Sequence, residues 1–343
     1  MNIILFLGAG FSRAFGYPTM DEFFPFADVS KKLDEDEKEF LRQLVLDARS
    51  ANSFLQSSPT NLEDILSFSV MAERLSLNKD SGETTNFKTR KILQKIFTQV
   101  AGASNFWEQF ESFKSFLTFD PASRENHKLS IITTNYDVSI ECALIQLGAS
   151  TNPGFQFVQE ENKDRFPVTG NLYSKAGILV YKLHGSVNWY KSENNPDSFR
   201  IEDRIVEVSG HYAERRQHSL PYVNASNYAN PDAPIIIPPS FLKPDLTGAL
   251  SLIWKGAAEQ LQAAHILVFV GYSFPLTDTD MMYFLARSLT KNASLRSILI
   301  IDPSAKAIVD KLNSSESKFG SHFKSLIKVN NSVWQKTNLK AYL

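Results

Sequence analysis

Short, continuous runs of aliphatic residues, each stopped by glycine or polar residues, recur along the whole chain. They constrain its fold more than any other feature. Asn2 to Leu7 ends at Gly8-Ala9-Gly10, Leu129 to Ile132 at Thr133-Thr134-Asn135, and Ile178 to Tyr181 at Lys182-Leu183-His184-Gly185. Ile235 to Ile237 ends at Pro238-Pro239, Ile266 to Val270 at Gly271-Tyr272-Ser273, and Ile298 to Ile301 at Asp302-Pro303. Runs of this length, rich in β-branched residues and lacking polar alternation, read as strands buried on both faces. Helical patterns separate several of them, at Val138 to Leu147, Leu250 to Ala264 and Met281 to Leu289. Strands alternating with helices predict an α/β fold with a Rossmann-like, mostly parallel sheet covered by helices. In such sheets ligands lie beyond the carboxyl ends of the strands, where this chain concentrates its glycine and polar residues.

Residues 34–125 break the alternation and read as a helical insertion within a single domain spanning 1–343. Phe40, Leu41, Leu44, Val45 and Ala48 mark one amphipathic helix. Thr60-Asn61-Leu62-Glu63 has the form of a capping box opening a second. Ile92, Leu93, Ile96, Phe97 and Val100 mark a third, and Phe106, Phe110, Phe113 and Leu117 a fourth. The aromatic stripe of the fourth serves either a partner or the core, and the core is the commoner use. The polar stretch from Ser192 to Pro234 predicts loops with a short hairpin near Ile201 to Val208.

Composition removes several classes. With 43% hydrophobic residues the chain can bury a large core, so global disorder is excluded. A formal net charge of -1 argues against strong direct nucleic-acid binding or adsorption to an anionic membrane. The single cysteine, Cys142, allows neither an internal disulfide nor a four-cysteine zinc site. No apolar stretch approaches the ~20 residues of a membrane span, and Ile3 to Leu7 is too short for a signal core. A soluble, cytoplasmic protein is expected.

The strand ends carry the chemistry. Gly8-Ala9-Gly10-Phe11-Ser12 after a buried strand fits either close approach of backbone to a phosphate or a tight turn with no ligand; Arg13 stands where a full Gly-x-Gly-x-x-Gly would have its third glycine. Asn135 and Asp137 follow the second strand and suit either a ligand or the cap of the next helix. His184 beside Gly185 is either a general base or a satisfied half-buried imidazole. Asp302 can accept from a ribose diol or cap a turn. Asp278-Thr279-Asp280 reads as a helix cap more readily than as a metal site, and it can also close over a nucleotide.

In this order, Gly8-Ala9-Gly10-Phe11-Ser12, Thr134-Asn135-Tyr136-Asp137, His184-Gly185, Gly271-Tyr272-Ser273 and Asp302 resemble the sirtuin (silent information regulator) family, and within it the bacterial sirtuin-like branch used in anti-phage defence. The resemblance spans residues 3–303. It implies NAD as substrate, with Gly8, Ala9, Gly10, Phe11 and Ser12 around the pyrophosphate and adjoining ribose. It implies that Asn135 holds the nicotinamide-side ribose or a water, that Asp137 accepts from the carboxamide, and that His184 is general base on a ribose hydroxyl. Gly271 and Ser273 would contact phosphate and the adenosine ribose, and Asp302 the adenosine side. Protein-deacylating sirtuins carry two cysteine pairs that bind zinc. This chain cannot build that module, so no zinc is expected and the acyl-lysine channel is in doubt. The family's usual Asn at the last strand end is Asp302 here. The resemblance thus implies an NAD glycohydrolase working as a homo-oligomer or with a separate ATPase, Argonaute or sensor protein. An NAD or ADP-ribose sensor without turnover, a deacylase lacking the zinc module and a nuclease are the competing readings.

Overall fold

The structure is a computed structural model. It describes residues 1–54, 62, 65, 67, 68, 70, 71, 84–97, 103–117, 128–159, 173–192, 198–201, 205–206, 220–221, 233–237, 248–275, 278–313 and 321–342. Among the described residues the strands, in chain order, are β1 (Asn2–Leu7), β2 (Lys128–Thr133), β3 (Thr151–Asn152), β4 (Gln156–Gln159), β5 (Ile178–Lys182), β6 (Trp189–Lys191), β7 (Ser198–Ile201), β8 (Ile205–Val206), β9 (Leu220–Pro221), β10 (Ile266–Val270), β11 (Ser297–Ile301) and β12 (Ile327–Asn330).

Seven of them form one sheet in the order β12-β11-β10-β1-β2-β5-β3, and every pairing in it is parallel. This is the Rossmann-like α/β arrangement that the alternating runs predict. From β1 at the centre the chain builds outward through β2 and β5, then returns to build the other half through β10, β11 and β12. The order therefore reverses beside β1, and crevices open at such reversals. Because all seven strands run the same way, their carboxyl ends share one edge.

Side chains alternate between two cores. Ile3, Leu5, Leu7, Ile131, Val268, Val270, Leu299 and Ile301 face one layer. Ile4, Phe6, Ile132, Leu267, Phe269, Ile298 and Ile300 face the other. Each such side chain contributes ~1.5–3 kcal/mol by leaving water, which is why these strands read as unbroken apolar runs. The helices Gly248–Gln262, Thr279–Leu289 and Ala305–Asn313 supply Ile253, Leu261, Leu285, Leu289, Ile308 and Leu312 to the second layer.

The helices Glu35–Phe54, Thr85–Phe97 and Ala103–Leu117 lie between β1 and β2 in sequence and cover the first layer. Phe110, Phe113, Phe116 and Leu117 are buried there, so the aromatic stripe is core. Its rings meet Trp334 from the C-terminal segment, with Phe113 at 6.2 Å and Phe116 at 6.0 Å between centroids. The capping-box residues Thr60, Asn61 and Glu63, like Val100, lie outside the described residues.

Two expectations are corrected. Ile235 to Ile237 is not a strand of the parallel sheet; Ile236 makes an isolated antiparallel bridge to Gly185. The hairpin involving Ile201 pairs β7 antiparallel with β6, Trp189 opposite Ile201, while β8 pairs with β9.

Candidate functional site

A cleft of about 290 Å³ sits at the carboxyl edge of the sheet, close to the ~300 Å³ lower bound of small-molecule sites. Its wall contains Ala9, Gly10, Ser12, Asn135, Asp137, His184, Gly271, Ser273 and Asp302, brought together from five strand ends. Two sequence-derived site residues lie elsewhere. Phe11 is buried and its ring stacks on Trp334 with centroids 5.0 Å apart. Gly8 acts in the floor beneath.

That floor is a three-glycine contact. Gly8 N–H donates to Val270 O (3.0 Å), Gly10 N–H to Gly271 O (2.9 Å) and Gly271 N–H to Ile301 O (3.0 Å). A Cβ on Gly8 would lie 2.4 Å from Gly271 O, and one on Gly10 would lie 2.8 Å from Gly271 Cα. The turns after β1 and β10 therefore touch backbone to backbone, a use of Gly-x-Gly the motif alone does not reveal. Phe11 N–H also bonds within the turn, to Gly8 O (3.0 Å). Ala9, Gly10 and Ser12 remain as the residues of this turn that line the cleft.

Asn135 is held from both sides. Its Nδ2 donates to Gly8 O and to Ser12 Oγ, each at 2.8 Å. Its backbone N–H donates to Thr133 Oγ1 (3.0 Å), which itself donates to Leu7 O (3.0 Å). A carbonyl can only accept, so the amide nitrogen faces Gly8 and Oδ1 is left as the acceptor of the group. Asp137 is buried, and its Oδ1 accepts from both the N–H (3.0 Å) and the hydroxyl of Ser139. It thus anchors the start of the helix Ser139–Gln146 through that one oxygen. Asp302 Oδ1 likewise accepts from a following backbone group, Ser304 N–H, at 2.7 Å.

His184 is buried and lines the cleft. The apolar run misread as a strand braces its loop: Ile237 N–H donates to His184 O (2.8 Å) and Ser186 N–H to Ile235 O (2.9 Å). Gly185 has φ +81°, and a Cβ there would lie 2.1 Å from Ile235 O. The imidazole Nε2 is 3.9 Å from Asp278 Oδ2, and the Tyr272 hydroxyl donates to the same oxygen at 3.4 Å. Asp278 lines the cleft, whereas Asp280 is exposed on the following helix. Among the described residues no group of three His, Cys, Asp or Glu is arranged to hold a metal.

Behind the loops lies a buried network that the sequence did not advertise. Lys182 Nζ donates to Tyr136 O (3.3 Å) and Asp137 O and pairs with Glu141 Oε1 at 3.1 Å. Ser186, Asn188 and Tyr173 extend it toward Glu141. Lys182 thereby ties the Asn135–Asp137 loop to the strand that carries His184. Burial pushes the Glu141 carboxyl above its ordinary value, against the pull of Lys182. Removing one partner of a buried pair costs ~3–5 kcal/mol, so Lys182→Met is expected to destabilise by about that much at neutral pH. A carboxyl whose value is raised in the fold contributes its stability below the unfolded value and loses it as pH rises through the folded one. Urea unfolding should therefore show a smaller deficit for Lys182→Met at pH 5 than at pH 8.

The SIR2-like domain family model matches residues 129–323, more than half of the chain. The chain belongs to the SIR2-like domain family. This is an NAD-related enzyme family, and the matched stretch contains Asn135, Asp137, His184, Gly271, Ser273 and Asp302. No curated protein matches the chain. Similar solved structures include a Sir2 homologue triple mutant in complex with 2′-O-acetyl ADP ribose, 12% identical, covering 97% of this chain and 86% of that one, with TM-score 0.38. Another is Sir2Tm bound to a propionylated peptide, at 11% identity, 97% and 89% coverage and TM-score 0.33. A third is a Sir2 homologue point mutant with ADP ribose, at 11% identity, 97% and 86% coverage and TM-score 0.34. These values are low, and membership of the SIR2-like family rests on the family match. No helix among the described residues is long and apolar enough to cross a membrane.

Proposed function

We propose that this SIR2-like chain is an NAD glycohydrolase that releases nicotinamide and ADP-ribose. The observation that carries the reading is the gradient of burial along one cleft. Of the residues lining it, His184 and Asp137 are only 2% and 3% exposed, while Ser273 is exposed and Asp302 half-buried. A dinucleotide would put its nicotinamide ribose deep and its adenosine at the rim, with the pyrophosphate over Ala9, Gly10 and Ser12. The 1–343 chain acts as one domain in this reading, with residues 34–125 as its insertion. Leu62 and Phe97 from that insertion line the cleft.

The nicotinamide of NAD is cationic and leaves neutral, so the protein need not protonate it. It must orient the carboxamide, stabilise positive charge on the ribose and place water. Asp137 Oδ2 accepts from the carboxamide, Asn135 Oδ1 holds the ribose or the water, and His184 takes a proton from a ribose hydroxyl. Among the described residues lining the cleft are four carboxylates, of Asp21, Asp137, Asp278 and Asp302, and no Lys or Arg. That balance favours a cationic ring deep in the cleft and disfavours a nucleic-acid strand. With only Cys142 in the chain, the zinc module of the deacylases has no ligands, which favours water over acyl-lysine as nucleophile. Control would come from self-association or from a separate partner, such as an ATPase, Argonaute or phage-protein sensor, in anti-phage defence.

The test incubates purified protein with NAD, alone and with candidate partners, and quantifies nicotinamide and ADP-ribose. Equal amounts of both are expected from wild type, with loss on His184→Ala. Tight NAD binding with no products in any combination would favour the sensor, and conversion of an acylated peptide only with NAD would favour the deacylase.

A further inference from the structure

Asp278 is an N-cap residue that does not cap. It immediately precedes the helix Thr279–Leu289, yet its side chain makes no capping hydrogen bond. It is instead 2% exposed and lines the cleft. Burying a carboxylate is costly unless it is paired and hydrogen-bonded, and a solvated cap at the same position would avoid that cost. Its Oδ2 accepts from the Tyr272 hydroxyl at 3.4 Å and lies 3.9 Å from His184 Nε2. Tyr272 follows Gly271, which has φ +60° directly after β10, and both residues line the cleft. The strand ends of β5 and β10 and the start of the helix at Thr279 therefore converge on one carboxylate.

We infer that Asp278 is a positioning residue for His184, holding the imidazole in one ring orientation with its proton on Nε2 and stabilising the cation that forms when the other nitrogen accepts a proton. This rests on the reading of His184 as general base. The separation in this structure is that of an ion pair rather than a hydrogen bond, and such contacts commonly tighten when substrate is bound. With Nε2–H directed at the carboxylate, Nδ1 is the acceptor nitrogen. A ribose hydroxyl passes its proton to Nδ1 while its oxygen takes one from the water adding at the anomeric carbon, and the imidazolium formed lies beside Asp278 until it releases that proton to solvent. Tyr272, through its O–H, keeps Oδ2 turned toward the ring. The titratable groups that share the cleft with His184, among the described residues, are Asp21, Asp137, Asp278, Asp302, Tyr136 and Tyr272. Asp137 already commits Oδ1 to Ser139, and Asp302 commits Oδ1 to Ser304.

The experiment labels histidine with ¹⁵N and follows His184 across a pH titration in wild type, Asp278→Asn and Tyr272→Phe, assigning it by comparison with His184→Ala. In wild type the neutral ring is expected as the Nε2–H tautomer. Asp278→Asn, an isosteric change, is expected to lower the His184 titration midpoint by about one unit or more, as loss of an opposite charge within ~4–6 Å does. Nicotinamide release should then show kcat reduced ~10-fold or more with KM for NAD changed much less. Tyr272→Phe should lower kcat in the same direction by less. A wild-type Nδ1–H tautomer would overturn the inference even if Asp278→Asn fails to fold. A folded Asp278→Asn with unaltered midpoint would overturn it as well. If wild type releases no nicotinamide under any condition, the glycohydrolase reading fails, and the His184 spectrum alone decides the pairing.

Discussion

Asn135→Ala is expected to reduce nicotinamide release by ~100-fold or more, the scale on which misplacing a reacting group acts. Both protons of Nδ2 are committed, to Gly8 O and Ser12 Oγ, so the side chain has no rotational freedom and Oδ1 is presented in a single direction. Alanine deletes that acceptor and leaves the Gly8 carbonyl short of a donor. Each lost hydrogen bond costs ~0.5–1.5 kcal/mol, so the variant should still fold, with a urea midpoint only modestly lowered. Asn135→Asp separates the two roles. It keeps an acceptor, but places a carboxylate oxygen against the Gly8 carbonyl, and should lose more stability than alanine. Unchanged kcat in folded Asn135→Ala would mean that the amide serves the turn after β1 and not the reaction.

Gly271→Ala is expected to be strongly destabilising for a single added methyl, at roughly 3 kcal/mol or more. Two costs add. The residue sits at φ +60°, where a Cβ costs ~1–2 kcal/mol. The new methyl would also lie 2.5 Å from Gly10 C and Phe11 N, backbone atoms fixed by the central strand, and overpacking of that kind costs ~1–3 kcal/mol. Gly148 is the control. It has φ +78° with nothing within 4 Å of a Cβ, so Gly148→Ala should show the backbone cost alone, ~1–2 kcal/mol. Urea unfolding of the two variants against wild type measures the difference, and equal destabilisation would show that the Gly10–Gly271 contact is slack.

Much of this architecture was legible because burial on both faces leaves a strong signature. The runs at β1, β5, β10 and β11 are apolar at most positions, and β2 carries Leu129, Ile131 and Ile132, as burial on both faces favours. Strands without it were missed. In β12, Ile327-Lys328-Val329-Asn330 has only one neighbouring strand and is partly exposed throughout, so its pattern does not stand out, and β3 is two residues long. Ile235 to Ile237 carries the signature for another reason. It is buried as a brace against His184 and Gly185, and hydrophobicity reports burial without reporting which backbone it pairs with. Site residues at strand ends were legible as polar interruptions of apolar runs. Lys182 and Glu141 were not, because a lysine ending a strand and a glutamate in a helix are ordinary until their side chains are found buried together. The sequence position of Asp278 is that of a helix cap, and only the burial of its carboxylate near His184 argues otherwise.

The central claim is that loops from five strand ends grip one dinucleotide, with Asn135 and position 184 at the bond to be broken. The most direct measurement is a crystal structure of the His184→Ala protein soaked with NAD. The account predicts intact NAD with its nicotinamide ribose between Asn135 and residue 184, its carboxamide on Asp137 and its adenosine ribose near Ser273 and Asp302. NAD bound with its nicotinamide at the Asp302 rim, or outside this cleft altogether, would contradict it.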